Sequence, residues 1–334
     1  MAKQGNNYYE ITQPAFQDTI SDLAFADGQR YLAATSWEGL IYVWEFNQDY
    51  SSVNQKKAEY RDPNKNAFMR CCFNSDCNNV YFGTSLGDIM NISLNEVGPV
   101  VTPKKNYDAT TNKTGPIVGL RYCSKLSTLV ALTMDKNLLI FKDNLVVIQI
   151  KLTPICMDIS DTQLYIATLG PAIWKLDLEK ADQNSQLTQL PTSLCYQIRS
   201  LSVSQNKPDR YIVGSIFGQV EIVDGQNRKI LPCHREENSS AIFPSNSVAM
   251  VGDAPCAISA GGNGVLKMIN FEKQKGARDL KITGCPLTGV AVSPRGEAAA
   301  VAQGYDWQRG AEKYKSDPPK IALYIKKIVP QEFN

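Results

Sequence analysis

Few side chains in this chain of 334 residues have the types and spacing that catalysis needs. His234 is the sole histidine, so a metal site with two imidazoles is impossible and only one His-based triad could exist. It is accompanied by no recognised serine or cysteine motif, phosphate loop, dinucleotide fingerprint or Cys-x-x-Cys pair. We therefore interpret His234 as a structural hydrogen-bonding residue and predict no catalytic residue, no metal site and no cofactor.

A glycine-rich stretch, Gly-Gly-Asn-Gly at residues 261–264, has the composition of a nucleotide-binding loop. It follows an apolar run that ends in small residues and precedes an alternating apolar strand. Glycine and asparagine at such a position favour a tight β-turn, because they tolerate positive φ. We interpret this stretch as a turn within a repeated unit.

That unit occurs seven times along the chain. Each copy has an apolar–x–x–apolar–x–apolar strand, an apolar run ending in small residues, a Gly- or Asn-centred turn and an alternating strand. Aligning the copies on the last apolar residue of the first strand gives successive spacings of 48, 49, 37, 44, 47 and 42 residues. The aligned residues are Phe25, Phe73, Tyr122, Ile159, Val203, Met250 and Val292. Spacings near 40–45 residues are typical of four-stranded propeller blades.

The sequence therefore predicts an all-β fold, a seven-bladed β-propeller of the WD-repeat type that occupies residues 1–334 as a single domain. A propeller must be closed, because an open ring would leave exposed sheet edges. A strand-like segment at residues 7–11 precedes the first full copy. We expect this N-terminal strand to pair with the last blade and close the ring.

Four connections are long and polar, at residues 47–66, 102–115, 179–194 and 224–246, and an insertion at residues 303–320 splits the seventh copy. Long loops without secondary structure are usually functional or disordered. We therefore expect these segments to be functional or disordered loops.

Composition excludes several classes of protein. Lys and Arg number 35 against 33 Asp and Glu, which argues against a surface built wholly for nucleic acid. No apolar run approaches a membrane span, the N-terminus has no signal-peptide pattern, and nine scattered cysteines suit buried free thiols in a reducing compartment. A local basic stretch leaves contact with RNA phosphates open as an alternative to a solubilising turn. Its residues are Lys273, Lys275, Arg278 and Lys281.

Four stretches resemble one small family of WD-repeat propellers, the messenger-RNA export factor of the nuclear pore and its spindle-checkpoint sister. They contain Ala-Thr-Ser-Trp-Glu-Gly (residues 34–39), Gln-Ile-Arg (197–199) leading to Gly-Ser-Ile-Phe-Gly-Gln-Val (214–220), Cys-His-Arg (233–235) and Gly-Tyr-Asp-Trp-Gln-Arg-Gly (304–310). The family writes Gly-Ser-Ile-Glu-Gly-Arg-Val at the second, so Phe217 and Gln219 are departures. The fourth is similar to the export factor's Ser-Tyr-Asp-Trp-Ser-Lys-Gly, which favours that branch.

The resemblance implies a non-catalytic scaffold that binds a GLEBS motif, a short segment of a phenylalanine-glycine nucleoporin, across one propeller face. It implies a role in messenger-ribonucleoprotein export at the nuclear pore and nuclear envelope, with some protein in the cytoplasm. It also implies a monomer within a heteromeric complex. The matching residues Trp37, Arg199 and Arg235 are the expected partner-binding residues.

Two alternative functions remain open from the sequence. A spindle-checkpoint propeller would bind the same type of motif in a kinetochore kinase-like partner. A generic propeller subunit of another complex would share only the blade geometry. For each expected binding residue a structural role is the alternative: Trp37 could cap its blade, Arg199 could brace a strand and Arg235 could be merely solvated.

Overall fold

The computed structural model describes residues 7–95, 102–112, 114–236, 240–307 and 310–334. Its strands form seven four-stranded antiparallel sheets. The innermost strand of each sheet contacts the innermost strand of the next, and the first and last innermost strands also touch. The predicted seven-bladed propeller is confirmed.

The strands follow the chain in order, four to a blade. Blade 1 contains β2 (Ile20–Phe25), β3 (Tyr31–Ser36), β4 (Leu40–Phe46) and β5 (Val53–Arg61). Blade 2 contains β6 (Phe68–Phe73), β7 (Asn79–Thr84), β8 (Ile89–Ser93) and β9 (Lys104–Tyr107). Blade 3 contains β10 (Ile117–Cys123), β11 (Thr128–Thr133), β12 (Asn137–Phe141) and β13 (Leu145–Gln149). Blade 4 contains β14 (Pro154–Ser160), β15 (Gln163–Thr168), β16 (Ala172–Asp177) and β17 (Thr188–Leu190).

The remaining blades complete the ring. Blade 5 contains β18 (Ile198–Val203), β19 (Arg210–Ser215), β20 (Gln219–Asp224) and β21 (Asn227–Pro232). Blade 6 contains β22 (Ser245–Met250), β23 (Cys256–Gly261), β24 (Val265–Asn270) and β25 (Lys275–Lys281). Blade 7 contains β26 (Leu287–Val292), β27 (Ala298–Gln303), β28 (Ala322–Lys327) and the N-terminal β1 (Tyr8–Ile11). Two short helices, α1 (Ala109–Asn112) and α2 (Gly310–Ser316), and a 3-10 helix (Pro330–Phe333) lie outside the sheets.

Closure of the ring depends on the N-terminal strand, as expected. β1 pairs antiparallel with β28, with Tyr9 opposite Ile325. Lys320 binds Glu10 at 2.6 Å, and the Tyr8 and Tyr324 rings meet edge to face. Blade 7 is therefore built from both ends of the chain.

The long polar connections contain regular structure that the sequence pattern did not indicate. Each of the four contains the outermost strand of a blade, namely β5, β9, β17 and β21. An outermost strand has one free edge and little contact with a neighbouring blade, so it does not need the apolar alternation of an inner strand. Five of the nine residues of β5 are exposed, which is why the sequence pattern did not reveal it.

The innermost strands run side by side in the same direction. Ser21 Oγ donates to the carbonyl of Phe68 at 2.5 Å, and Asn246 Nδ2 donates to the carbonyl of Leu287 at 2.9 Å. Each bond joins the start of one innermost strand to the start of the next. All seven innermost strands therefore begin at the same side of the ring, which we call the front face. The front face carries the turns between second and third strands and the connections between blades, and the back face carries the other turns.

Apolar side chains fill the space between neighbouring blades. Trp44 of blade 1, 1% exposed, packs in one cluster with Leu323 and Ile325 of blade 7. Its indole N–H donates to the carbonyl of Gln13 at 2.9 Å, which ties the segment after β1 to blade 1. This packing holds the front-face turns on a rigid base.

Candidate functional site

The front-face turns are built alike in every blade. The first residue of the turn donates its backbone N–H to a carbonyl just before the innermost strand, as in Trp37 to Thr19 (3.1 Å) and Ile216 to Gln197 (3.0 Å). Two residues after Trp37 and Ile216, Gly39 and Gly218 have positive φ, which glycine adopts without strain. This shared backbone makes the side chains of Trp37 and Ile216 project from the face at equivalent positions.

Large apolar side chains concentrate on this face. Among the residues that the structure describes, ten large apolar side chains are exposed, and eight of them lie in front-face turns or connections. The eight are Trp37, Leu86, Met134, Leu152, Leu169, Tyr196, Ile216 and Trp307. A soluble protein rarely groups exposed apolar side chains in this way unless they bind a partner.

Trp37 lies in the turn between β3 and β4, and 44% of its surface is exposed. The next residue, Glu38, is fixed by an ion pair with Arg61 (2.5 Å) and by the backbone N–H of Gln17 (2.9 Å). The turn is thus held firmly while the indole remains open to solvent. An exposed aromatic side chain on a rigid turn is suited to act as a binding anchor.

Arg199 lies at a β-bulge near the start of β18, where the innermost strand of blade 5 lines the mouth of the central channel. Its Nη2 donates to the backbone carbonyl of Asp306 at 3.5 Å, across the channel mouth from blade 7. Partial removal from water lowers the pKa of its guanidinium, and the nearby Asp306 carboxylate opposes that shift. Asp306 also accepts a hydrogen bond from Asn246 Nδ2 at 3.2 Å, so residues from blades 5, 6 and 7 meet there.

Arg235 is exposed in the connection that follows β21, where it bridges to the backbone of Ile242. Its guanidinium lies 5.3 Å from the centre of the Phe217 ring. The Phe217 ring also stacks on Tyr196, with ring centres 4.0 Å apart and planes 18° from parallel. Sequence reasoning missed both aromatic residues, although Phe217 stood out as a departure from the family pattern.

The sole histidine is buried beneath this region. His234 is 0% exposed, with Nε2 at 2.8 Å from Ser259 Oγ and Nδ1 at 3.1 Å from Asn263 Oδ1. Burial lowers the pKa of its imidazole to about 4. A neutral ring bonded on both nitrogens fixes the front-face turn of blade 6, where Gly264 N–H donates to the Gly261 carbonyl at 3.0 Å. The geometry agrees with a structural role for His234 and a β-turn at residues 261–264.

The central channel is polar, and its cavity has a volume of about 310 Å³. Its charged side chains are bonded to the wall: Arg121 pairs with Asp158 at 3.1 Å, and Asp158 accepts the backbone N–H of Val203 at 2.8 Å. These bonds join blades 3, 4 and 5. Among the described residues no group of three or more His, Cys, Asp or Glu side chains could hold a metal ion.

The four basic residues of the predicted RNA-contact stretch are spread along one edge of blade 6. Lys273 and Lys275 lie at the back-face end of β25, and Lys281 lies at its front-face end, about 20 Å away at 3.3 Å per residue. Arg278, between them, forms an ion pair with Glu332 at 3.5 Å. The structure does not bring the four side chains together in one patch, and RNA contact at these residues stays a prediction.

The Tyr-Asp-Trp stretch divides between the blade and the surface. Tyr305 and Asp306 are buried, 5% and 7% exposed, whereas Trp307 is 54% exposed. The rings of Tyr305 and Trp307 meet edge to face at 5.2 Å. The following two residues of the motif lie outside the described part of the chain. Trp307 therefore joins Trp37 as an exposed aromatic residue on the front face.

The fold and these turns define a seven-bladed WD-repeat propeller with an apolar front face. The chain is similar over nearly its whole length to proteins named for messenger-RNA export. It is 24% identical to the "Poly(A)+ RNA export protein" of Schizosaccharomyces pombe, covering 97% of this chain and 91% of that protein. It is 21% identical to "Protein Rae1" of Drosophila melanogaster (95% and 93% covered) and 23% identical to "mRNA export factor rae-1" of Caenorhabditis elegans (94% and 87%). The resemblance to the export-factor propellers is confirmed.

No protein-family model matches the chain. Within the described residues, no helix has the length and apolar character to cross a membrane.

Proposed function

We propose that this propeller is a non-catalytic scaffold in nuclear messenger-RNA export, and that its front face binds a GLEBS-type peptide motif of a phenylalanine-glycine nucleoporin. The relatives' names support the role in export. The peptide-binding role rests on the front face itself.

One observation carries the proposal: eight of the ten exposed large apolar side chains in the described structure share the front face. Among the described residues, none of the ten lies in a back-face turn. Burial of these side chains against a partner would stabilise the complex by roughly 25 cal/mol for each Å² of apolar surface removed from water. The proposed partner is therefore a peptide that supplies apolar side chains to several blades.

The charges on the face define the rest of the partner's chemistry. Neither Arg199 nor Arg235 forms a salt bridge with a carboxylate among the described residues: Arg199 bonds a carbonyl and Arg235 lies against a ring. Guanidinium groups in this state suit bidentate binding of carboxylates. We propose that acidic residues of the motif bind Arg199 and Arg235 while an apolar residue packs on Trp37.

The proposed setting is a heteromeric complex at the nuclear pore, in which this chain is a monomer and messenger ribonucleoprotein is the cargo. Protein–protein binding through a propeller face leaves the outer strands free for a further partner. RNA contact by the basic residues of blade 6 is a separate proposal, and loss of RNA binding in a Lys273→Glu, Lys275→Glu variant would support it.

A titration of an immobilised GLEBS peptide tests the proposed function. Wild type should bind, and Arg235→Glu and Trp37→Ala should each bind more weakly. Val147→Ala is the matched control, because Val147 is exposed on the outermost strand of blade 3, away from the front face. If wild type fails to bind, or if wild type and Arg235→Glu bind equally, the assignment is wrong.

The spindle-checkpoint alternative uses the same kind of peptide, so peptide binding cannot separate the two roles. Localisation can: an export factor should mark the nuclear rim in interphase, and a checkpoint propeller should mark kinetochores in mitosis. The proposal of an export role is rejected if the tagged protein marks kinetochores alone.

A further inference from the structure

Three side chains on the front face of blade 5 form a continuous stack. The Tyr196 and Phe217 rings are nearly parallel, with centres 4.0 Å apart, so Tyr196 covers one face of Phe217. The Arg235 guanidinium carbon lies over the Phe217 ring, 5.3 Å from its centre. Phe217 thus contacts both a ring and a cation. These residues come from three separate segments of the chain.

The backbone beneath the stack is fixed. The carbonyl of Gly218 accepts the N–H groups of Cys233 (2.8 Å) and His234 (3.2 Å), which ties the segment before Arg235 to the turn that carries Phe217. Phe243 N–H donates to the His234 carbonyl at 2.9 Å, and the His234 ring is buried and bonded on both sides. The backbone next to Arg235 is therefore held rigidly, and the Arg235 guanidinium packs against the Phe217 ring.

A ring face holds a cation without neutralising it. The attraction between a guanidinium and an aromatic face comes from the ring's quadrupole, so the full positive charge remains available to a third group. No carboxylate among the described residues is paired with Arg235. A glutamate at position 217, as in the family's pattern, would place an anion beside this guanidinium and compete with any acidic partner.

We propose that Phe217 and Tyr196 are positioning residues that keep Arg235 as an un-neutralised, pre-oriented cation for an acidic side chain of the partner peptide. The proposal rests on the proposed function and names the determinant of specificity within its site. Pre-orientation lowers the entropy lost on binding, because Arg235 is already ordered before the peptide arrives. The stack should not increase the affinity for a partner that has a neutral residue opposite Arg235.

The first test needs no partner. In wild-type protein, ¹⁵N relaxation of the Arg235 Nε–Hε group should report a restricted side chain, and Phe217→Leu should release it. Phe217→Trp, which keeps an aromatic face, should restore the restriction. Equal mobility in wild type and Phe217→Leu would overturn the positioning role, whatever the protein binds.

The second test uses the GLEBS peptide and the same peptide with its acidic residues changed to glutamine. Loss of an exposed cation–π contact, about 0.5–1 kcal/mol, corresponds to a roughly 2- to 5-fold weaker Kd for Phe217→Leu. Phe217→Glu should weaken binding more, and Phe217→Trp should bind like wild type. In an Arg235→Met background, and with the glutamine peptide, Phe217→Leu should have no effect.

The outcomes separate this inference from the proposed function. If wild type binds the peptide but Phe217→Leu is equally harmful with and without Arg235, Phe217 contacts the peptide directly and the inference fails alone. If wild type binds no peptide, the proposed function fails, while the relaxation measurement still decides whether the stack holds Arg235. If Phe217→Leu weakens binding of an oligouridine probe but not of the peptide, the stack serves nucleobases and the inference is overturned.

Discussion

The two faces of this propeller differ in the side chains that their turns expose. The front face carries eight exposed large apolar side chains, whereas the two others in the described structure, Val53 and Val147, lie on outermost strands. Near the back face the outstanding feature is a buried ion pair, Lys326 with Glu332 at 2.9 Å. From this contrast we expect the front face to serve binding and the back-face side to serve stability, and the predictions below test that division.

The largest expected effect is on the back-face side. Lys326 is 1% exposed, and its ammonium binds both carboxylate oxygens of Glu332. Arg278 Nη1 lies 3.5 Å from Glu332 Oε1. Lys326→Met removes one partner of a buried pair, and we expect a loss of about 3–5 kcal/mol in the free energy of unfolding. Chemical denaturation measures it. Peptide affinity of the folded variant should be unchanged, and a large loss of affinity would break the division between faces.

A matched control changes both partners. Lys326→Met combined with Glu332→Leu leaves no uncompensated charge except Arg278 at the edge. It should recover much of the lost stability, because apolar residues of similar volume can replace a buried pair. Equal stability of the single and double variants would show that the pair is not the cause.

Trp37→Ala should give the largest front-face effect. Removing an aromatic anchor from the centre of an interface typically costs about 2–4 kcal/mol of binding free energy. Calorimetric titration with the GLEBS peptide measures the change, and the melting temperature should move little because Trp37 is exposed. If the variant loses stability but keeps its affinity for the peptide, Trp37 caps its blade and is not a binding anchor.

The acid stability of the molecule should depend on the buried histidine. Burial lowers the pKa of His234 from 6.5 to about 4, so the unfolded chain binds the proton more readily than the folded one. Its contribution to stability is complete above pH 6.5 and is lost as the pH falls to about 4. The total is about 3 kcal/mol at 1.36 kcal/mol per pKa unit.

Denaturation of wild type and His234→Gln across this pH range measures the histidine alone, because the carboxylates titrate in both. The stability difference between the two proteins should shrink on acidification. A constant difference would mean that His234 is not held neutral, and that the front-face turn of blade 6 has another support.

The smallest effects should come from single apolar residues away from Trp37. Leu86→Ser, in the equivalent turn of blade 2, should cost about 1 kcal/mol of peptide affinity if the peptide reaches that blade, since the 56%-exposed side chain would be partly buried. Val147→Ser should cost nothing. Identical behaviour of the two variants would limit the binding site to blades 5, 6, 7 and 1.

The innermost strands could be predicted from the sequence because each is marked by a short, local pattern of apolar residues. β2, β6, β18, β22 and β26 end at the residues on which the repeat was aligned, since each innermost strand needs the same apolar spacing. The outer strands could not be predicted: β5 is mostly exposed, and its pairing with β4 is set by the tertiary structure.

The candidate site was predictable only in part. Trp37, Arg199 and Arg235 were expected from matched motifs, and all three lie on the front face. The stack of Tyr196 on Phe217 joins residues that are distant in the repeat pattern, so no spacing rule could place one ring on the other. Part of this front-face apolar set had a signal in the sequence, because the first residue after the second strand is apolar in blades 1, 3, 4 and 5, namely Trp37, Met134, Leu169 and Ile216.

The pairing of β1 with β28 has a consequence for synthesis of the protein. β1 precedes every other strand of the propeller in the chain and β28 follows them, so blade 7 can be completed only when β28 has left the ribosome. Before β28 is available, the front-face turn between β27 and β28 is not held in position. A nascent or truncated chain therefore presents an incomplete set of front-face turns to a partner. Capture of the full peptide should thus discriminate finished molecules from unfinished ones.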